Sequence, residues 1–129
     1  MSETSHVLIV EDNDFVRLQL AKFLGDAGYV VHQASGVAEG MDMLFEHLND
    51  IGAVLVDVRM EPIDGWGFIL KMQADDVERP VILVTGDQNN DILAKASQMG
   101  VAGVLMKPVN KDRLIKMVER VILTRKNGS

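Results

Sequence analysis

The chain has 129 residues, 47% of them hydrophobic, and a formal net charge of −6, which is the size and composition of one globular domain. It contains no cysteine, which excludes disulfide scaffolds, thiol catalysis and cysteine-ligated zinc, and favours a reducing, cytoplasmic location. The acidic balance argues against direct binding to nucleic acid or to anionic membranes, and no apolar run is long enough to span a bilayer.

Five short apolar runs predict five strands, at residues 7–10, 29–31, 53–56, 81–84 and 104–106. The runs are continuous rather than alternating, which is typical of strands covered on both faces. After each run, apolar residues recur at helical spacing and predict five helices. Their most regular pairs are Leu20 and Leu24, Met41 and Leu44, Trp66 and Ile69, Ile92 and Ala96, and Leu114 and Val118.

Strands that alternate with helices predict a parallel sheet with right-handed crossovers. We expect one domain over residues 1–129, with a core at about residues 6–124 and a loose tail at residues 125–129. Gly25, Gly28 and Gly100 are predicted to end helices. Asp64 and Asn110 are predicted to begin the third and fifth helices.

Carboxylate, hydroxyl or ammonium side chains follow four of the five apolar runs. Glu11 and Asp12 follow the first, Asp57 the third, Thr85 the fourth and Lys107 the fifth. The carboxyl ends of parallel strands meet at one sheet edge, where ligands bind in open α/β sheets. Two carboxylates about 4 Å apart repel by about 4 kcal/mol at an effective dielectric constant of about 20. We therefore expect cations there, both Lys107 and a divalent ion such as Mg²⁺ or Mn²⁺.

These residues, in this order and each at a strand end, resemble the receiver domain of two-component response regulators, in its single-domain CheY-like form. The resemblance implies a flavodoxin-like (βα)5 doubly wound parallel sheet of the α/β class, with strand order 2-1-3-4-5. It also implies that Asp57 is the phosphoacceptor in a phosphorelay. The donor would be a phosphohistidine of a histidine kinase or histidine phosphotransfer protein, and the output would be contact with an unknown downstream protein.

The same resemblance assigns the remaining site residues. Thr85 and Lys107 would contact the phosphoryl group, and the peptide bond before Pro108 would be cis. The ligands of Mg²⁺ would be Glu11, Asp12, Asp57 and the backbone carbonyl of Arg59. Such a protein is a signalling phosphoacceptor rather than an enzyme, since it catalyses only its own phosphorylation and dephosphorylation.

Two positions depart from the family pattern. Glu61 stands where the family commonly has proline, four residues after the acceptor, and it adds negative charge near the site. Val104 stands where the family often has an aromatic ring that swings inward with the threonine. Val104 and Leu93 are nevertheless predicted as exposed output contacts, on the face of the fourth helix, fifth strand and fifth helix.

Arg59 and Asp87 lie two residues after Asp57 and Thr85, respectively. The resemblance to the receiver family implies that both side chains lie over the opening of the site. We expect them to pair there, to obstruct attacking water and so to lengthen the lifetime of the phosphorylated state.

Two other functions are compatible with parts of the sequence. A phosphorylation-independent receiver-like interaction domain would explain Glu61 and Val104. A phosphate-ester hydrolase with an aspartyl intermediate is less compatible, because its acid/base position holds Arg59, which does not deprotonate. The three histidines, His6, His32 and His47, are expected to share no common cluster.

Overall fold

The computed structural model of the protein describes residues 5–87 and 89–128. Its strands are β1 (His6–Val10), β2 (Val30–Ala34), β3 (Ile51–Asp57), β4 (Val81–Thr85) and β5 (Gly103–Met106). Its helices are α1 (Asp14–Asp26), α2 (Val37–Glu46), α3 (Gly65–Ala74), α4 (Asn90–Gln98) and α5 (Lys111–Gly128).

The five strands form one parallel sheet in the order β2-β1-β3-β4-β5. This arrangement confirms the flavodoxin-like doubly wound fold. Alternate residues of each strand point to opposite faces of the sheet. Val54 and Val56 pack with α2, α3 and α4, whereas Ala53 and Leu55 pack with α1 and α5. Both faces are therefore covered, which explains why the strands are continuously apolar.

Side-chain caps begin the third and fifth helices as predicted. Asp64 Oδ1 accepts a hydrogen bond from the Gly67 backbone N–H at 3.0 Å, at the start of α3. Asn110 Oδ1 accepts one from the Arg113 backbone N–H, also at 3.0 Å, at the start of α5. Each cap satisfies a backbone donor that the helix itself leaves unpaired.

The helix ends differ from the sequence predictions in two places. Gly28 and Gly100 follow α1 and α4 with positive φ angles of 97° and 74°, as expected of helix-ending glycines. Gly25, however, lies inside α1. The prediction of a loose tail at residues 125–129 is also wrong for residues 125–128, because α5 continues to Gly128; Ser129 lies outside the described residues.

Within the described ranges, no helix combines the length and hydrophobicity needed to cross a membrane.

Candidate functional site

Three carboxylates meet at the carboxyl-terminal edge of the sheet. Glu11 and Asp12 directly follow β1, and Asp57 ends the neighbouring strand β3. One carboxylate oxygen from each residue lies within 4.8 Å of the other two. Glu11 and Asp57 are only 1% and 6% exposed, whereas Asp12 is exposed. The juxtaposition predicted from the strand ends is thus confirmed.

Three hydrogen bonds fix Glu11, two through its backbone and one through its side chain. Its N–H donates to the Ala34 carbonyl of β2 at 3.0 Å. Its carbonyl accepts from Arg17 Nη1 of α1 at 3.0 Å, and its Oε2 accepts from the Asn13 N–H at 3.1 Å. Arg17 was not predicted as a site residue, because nothing in the sequence marks a side chain that reaches back six residues across a loop.

Lys107 joins the two buried carboxylates. Its Nζ lies 3.0 Å from Glu11 Oε1 and 3.1 Å from Asp57 Oδ2. Its backbone N–H donates to the Thr85 carbonyl at 2.8 Å, which fixes the start of the side chain beside β4. Burial alone would lower the pKa of Lys107, but its close contacts with the carboxylates of Glu11 and Asp57 outweigh burial and raise that pKa. The ammonium therefore stays charged at neutral pH.

The single ammonium of Lys107 does not balance the charge of three carboxylates. Burial, together with the hydrogen bond and the negative charge of Asp57, raises the pKa of Glu11 from 4.5 to about 7. Glu11 Oε1 is buried and makes no hydrogen bond of good geometry, although Lys107 Nζ is close. Clustered carboxylate oxygens are the ligands that Mg²⁺ prefers, so Glu11, Asp12 and Asp57 fit a divalent cation.

An open cavity of about 460 Å³ lies beside Asp57, lined also by Arg59, Gly86, Asp87 and Lys107. The structure places Arg59 and Asp87 together as predicted, with Arg59 Nη2 2.7 Å from Asp87 Oδ2. Arg59 also donates its backbone N–H to Asp57 Oδ1 at 3.2 Å. Both partners of the salt bridge therefore line the cavity that also borders Asp57.

Thr85 is 2% exposed at the end of β4. Its hydroxyl oxygen accepts a hydrogen bond from the Asp87 N–H at 3.0 Å. The Lys107–Pro108 peptide bond is cis, as predicted, and so is the Glu61–Pro62 bond. Glu61 is exposed and lines a second open cavity, of about 390 Å³, together with Asp12.

The predicted output residues differ in exposure. Leu93 on α4 is 54% exposed, as expected. Val104 is not an exposed contact, since it is partly buried against the core beneath α2, α3 and α4. Its position inside β5 explains the difference, because side chains of an edge strand in this fold still point toward a helix layer.

The expectation that the histidines share no cluster is wrong. His6 Nδ1 lies 2.9 Å from His32 Nε2, and the ring centroids are 5.1 Å apart. The ring of His47 stacks on that of His32 with centroids 4.1 Å apart. The three residues are 26 and 15 positions apart along the chain, so only the pairing of β1 with β2 and the packing of α2 bring them together.

A comparison with protein families places the site in a known context. The model of the response regulator receiver domain matches residues 7–119. The chain belongs to this family. It is 32% identical over 115 residues to the transcriptional regulatory protein GlrR of Escherichia coli, covering 89% of this chain and 26% of GlrR. It is 30% identical over 122 residues to the transcriptional regulatory protein FixJ of Bradyrhizobium diazoefficiens, covering 95% of this chain and 58% of FixJ.

Solved receiver domains have the same fold as this chain. The chemotaxis protein CheY4 of Vibrio cholerae superposes with a TM-score of 0.83 at 26% identity, covering 92% of this chain and 99% of that one. A response regulator receiver protein of Pseudomonas putida gives a TM-score of 0.81 at 27% identity, covering 93% and 99%. This receiver therefore spans whole chains among the solved structures but only part of the regulatory proteins GlrR and FixJ.

Proposed function

We propose that Asp57 accepts a phosphoryl group from a phosphohistidine of a histidine kinase or histidine phosphotransfer protein, and that the aspartyl phosphate changes a contact with a downstream protein. The observation that carries this proposal is the setting of Asp57. Its carboxylate is buried, paired with the Lys107 ammonium, adjacent to two further carboxylates, and lines an open cavity.

In the proposed transfer, an Asp57 carboxylate oxygen attacks phosphorus and forms a P–O bond. The P–N bond to the donor imidazole breaks, and the imidazole nitrogen keeps the electron pair and takes up a proton. Phosphoryl transfer needs positioning and charge neutralisation more than covalent assistance. Lys107 supplies one positive charge at the attacking oxygen. The Thr85 hydroxyl donates a hydrogen bond to an oxygen of the phosphoryl group.

Mg²⁺ is the proposed cofactor, and Mn²⁺ has the same ligand preference for oxygen. Glu11, Asp12 and Asp57 would hold it, together with the backbone carbonyl of Arg59. When bound, the ion supplies positive charge to the phosphoryl oxygens. Metal binding would also offset the burial and the negative charge of Asp57, which both raise the pKa of Glu11.

The Arg59–Asp87 salt bridge is proposed to slow hydrolysis of the aspartyl phosphate. Arg59 and Asp87 form a salt bridge, and both line the cavity beside Asp57. Water must approach phosphorus from the side opposite Asp57, and a side chain held across that approach reduces its access. Arg59 is 78% exposed, and exposed ion pairs contribute little to stability. The pair is therefore proposed to act by blocking the approach of water and not by stabilising the fold.

The output is proposed to be a protein contact on the α4 face, where Leu93 is exposed. The protein would act as a signalling switch and not as an enzyme on other substrates, because the position two residues after Asp57 holds Arg59 instead of a general acid. The absence of cysteine fits a cytoplasmic location.

The test is the intact mass of the protein after incubation with a small phosphodonor, with and without Mg²⁺. We expect one added phosphoryl group in the wild type, only when the metal is present, and none in Asp57→Asn. Asp75→Asn is the matched control, because it removes an exposed carboxylate at the end of α3, and it should be phosphorylated like the wild type.

The second candidate is a phosphorylation-independent interaction domain, favoured by Val104, whose small side chain packs in the core instead of forming an aromatic switch. The mass experiment separates the two functions. A wild-type protein that is folded and binds Mg²⁺ but forms no adduct would contradict the phosphoacceptor proposal and support the second one.

A further inference from the structure

His6, His32 and His47 form a continuous row of imidazoles, here called the histidine row. It lies where β1, the edge strand β2 and the end of α2 meet. His6 and His32 are partly buried, and the side chain of His47 is 33% exposed. These are the only histidines of the chain, so every imidazole of the protein belongs to this one cluster.

The contact between His6 and His32 depends on the number of protons. At 2.9 Å, Nδ1 of His6 and Nε2 of His32 form a hydrogen bond in which one nitrogen donates and the other accepts. The bond exists when both rings are neutral or when they share one excess proton. It is lost when both rings are protonated, because both facing nitrogens then carry hydrogen.

The third ring adds to the cost of protonating His32. The ring of His47 stacks on His32 at 4.1 Å between centroids, so a charge on either ring lies against the other. Burial, followed by the nearby rings of His47 and His6, lowers the pKa of His32 from its ordinary value of 6.5, while Asp50 and Glu46 oppose that shift. A neutral His32 ring is thus the form that this packing stabilises.

We propose that the histidine row is an acid-sensitive latch: protonation of its rings separates β2 and the end of α2 from β1 at mildly acidic pH. His47 is fixed to its neighbours by its backbone, since its carbonyl accepts from the N–H groups of Asp50 and Ile51 at 2.9 and 3.0 Å. Repulsion within the row therefore acts on the α2–β3 connection and not only on side chains.

The latch has a direct connection to the acidic site. Val30–Ala34 is the strand that carries His32, and its last carbonyl accepts the N–H of Glu11 at 3.0 Å. Release of β2 removes this acceptor from the backbone of a carboxylate at the site. Acid would thereby loosen the proposed metal ligands by acting at His32, which lies in the middle of the same strand, two residues before Ala34.

The sign of the effect follows from linkage. A group whose pKa is lowered by folding binds more protons when unfolded, so stability is lost as pH falls through the ordinary value of 6.5. Each unit by which folding lowers the pKa of His32 corresponds to a tenfold loss in the folding equilibrium constant at low pH. Glu11 titrates near the same range with the opposite sign, so variants must be compared with the wild type at each pH.

The experiment is urea unfolding of the full chain without metal at about pH 7.5 and about pH 5.5, on either side of the ordinary histidine pKa. Wild type is compared with His32→Gln, which keeps a polar side chain that does not titrate. We expect the folding equilibrium constant of the wild type to fall between the two pH values relative to that of His32→Gln. Lys116→Gln on the exposed face of α5 is the control for loss of a positive charge and should behave like the wild type.

Amide hydrogen exchange locates the effect. At the lower pH, after correction for intrinsic exchange, the Glu11 amide should lose protection in the wild type more than in His32→Gln. Should His32→Gln fold poorly, His47→Gln, which removes the stacked ring, provides the same comparison. Equal pH dependence of stability and of Glu11 protection in wild type and variant would overturn the proposal.

Discussion

Replacement of Glu11 by glutamine should stabilise the metal-free protein at alkaline pH. Folding raises the pKa of Glu11 from 4.5 to about 7, first through burial and then through Asp57. A group whose pKa is raised by folding contributes stability below its unfolded pKa, and that contribution is lost as pH rises through the folded pKa. The wild type should therefore lose stability between pH 4.5 and about 7, a window fixed by this shift.

The shift sets the size of the effect. Each pKa unit corresponds to about 1.4 kcal/mol, so the rise at Glu11 implies a loss of about 3 kcal/mol once the carboxylate is charged. Domains of this size are stable by only about 5–15 kcal/mol, so the loss is readily measured. Glu11→Gln removes the charge but keeps the shape, and at about pH 8 it should be more stable than the wild type by up to this amount.

The assay is urea unfolding across this pH range in the presence of a chelator. Glu78→Gln, which neutralises an exposed carboxylate in the α3–β4 loop, should retain the pH dependence of the wild type. Addition of Mg²⁺ at alkaline pH should then stabilise the wild type more than Glu11→Gln, because a ligand that binds only the folded state adds stability. Parallel stability curves for wild type and Glu11→Gln would refute the reasoning.

Three further substitutions, one of them with a matched control, test other parts of the structure. Arg59→Ala should hydrolyse its aspartyl phosphate faster than the wild type, measured by loss of the adduct mass; an unchanged rate would contradict the shielding role of the pair with Asp87. Gly65→Ala should destabilise the fold by about 1–3 kcal/mol, because a Cβ there would overlap the Asp57 carbonyl oxygen and lie 3.0 Å from Val56 Cγ1. Gly25→Ala is its control and should stabilise α1 by about 0.5–1 kcal/mol in thermal unfolding, since its Cβ would meet nothing within 4 Å. Asp64→Ala removes the cap of α3 and should cost about 1 kcal/mol in urea unfolding; no loss would mean that water replaces the cap.

The sequence by itself determined the sheet and the acidic edge of the site. Continuous apolar runs require two covered faces, and their alternation with helical patterns requires parallel crossovers. Once the strands are parallel, the residues that follow them must meet at one edge. Glu11, Asp57 and Lys107 could therefore be placed together from the sequence alone. The pairing of Arg59 with Asp87 was implied by the resemblance to the receiver family.

Only the tertiary structure decided how far each side chain is buried and which distant residues touch. Val104 looked like an exposed contact but is half covered, because its exposure depends on the helix layer above β5. Arg17 reaches the Glu11 carbonyl only because of the turn between β1 and α1. The histidine row joins three elements whose lateral order and packing no local pattern encodes. Local spacing specifies which residues share a face or a strand end, whereas contacts between elements depend on how the completed layers pack.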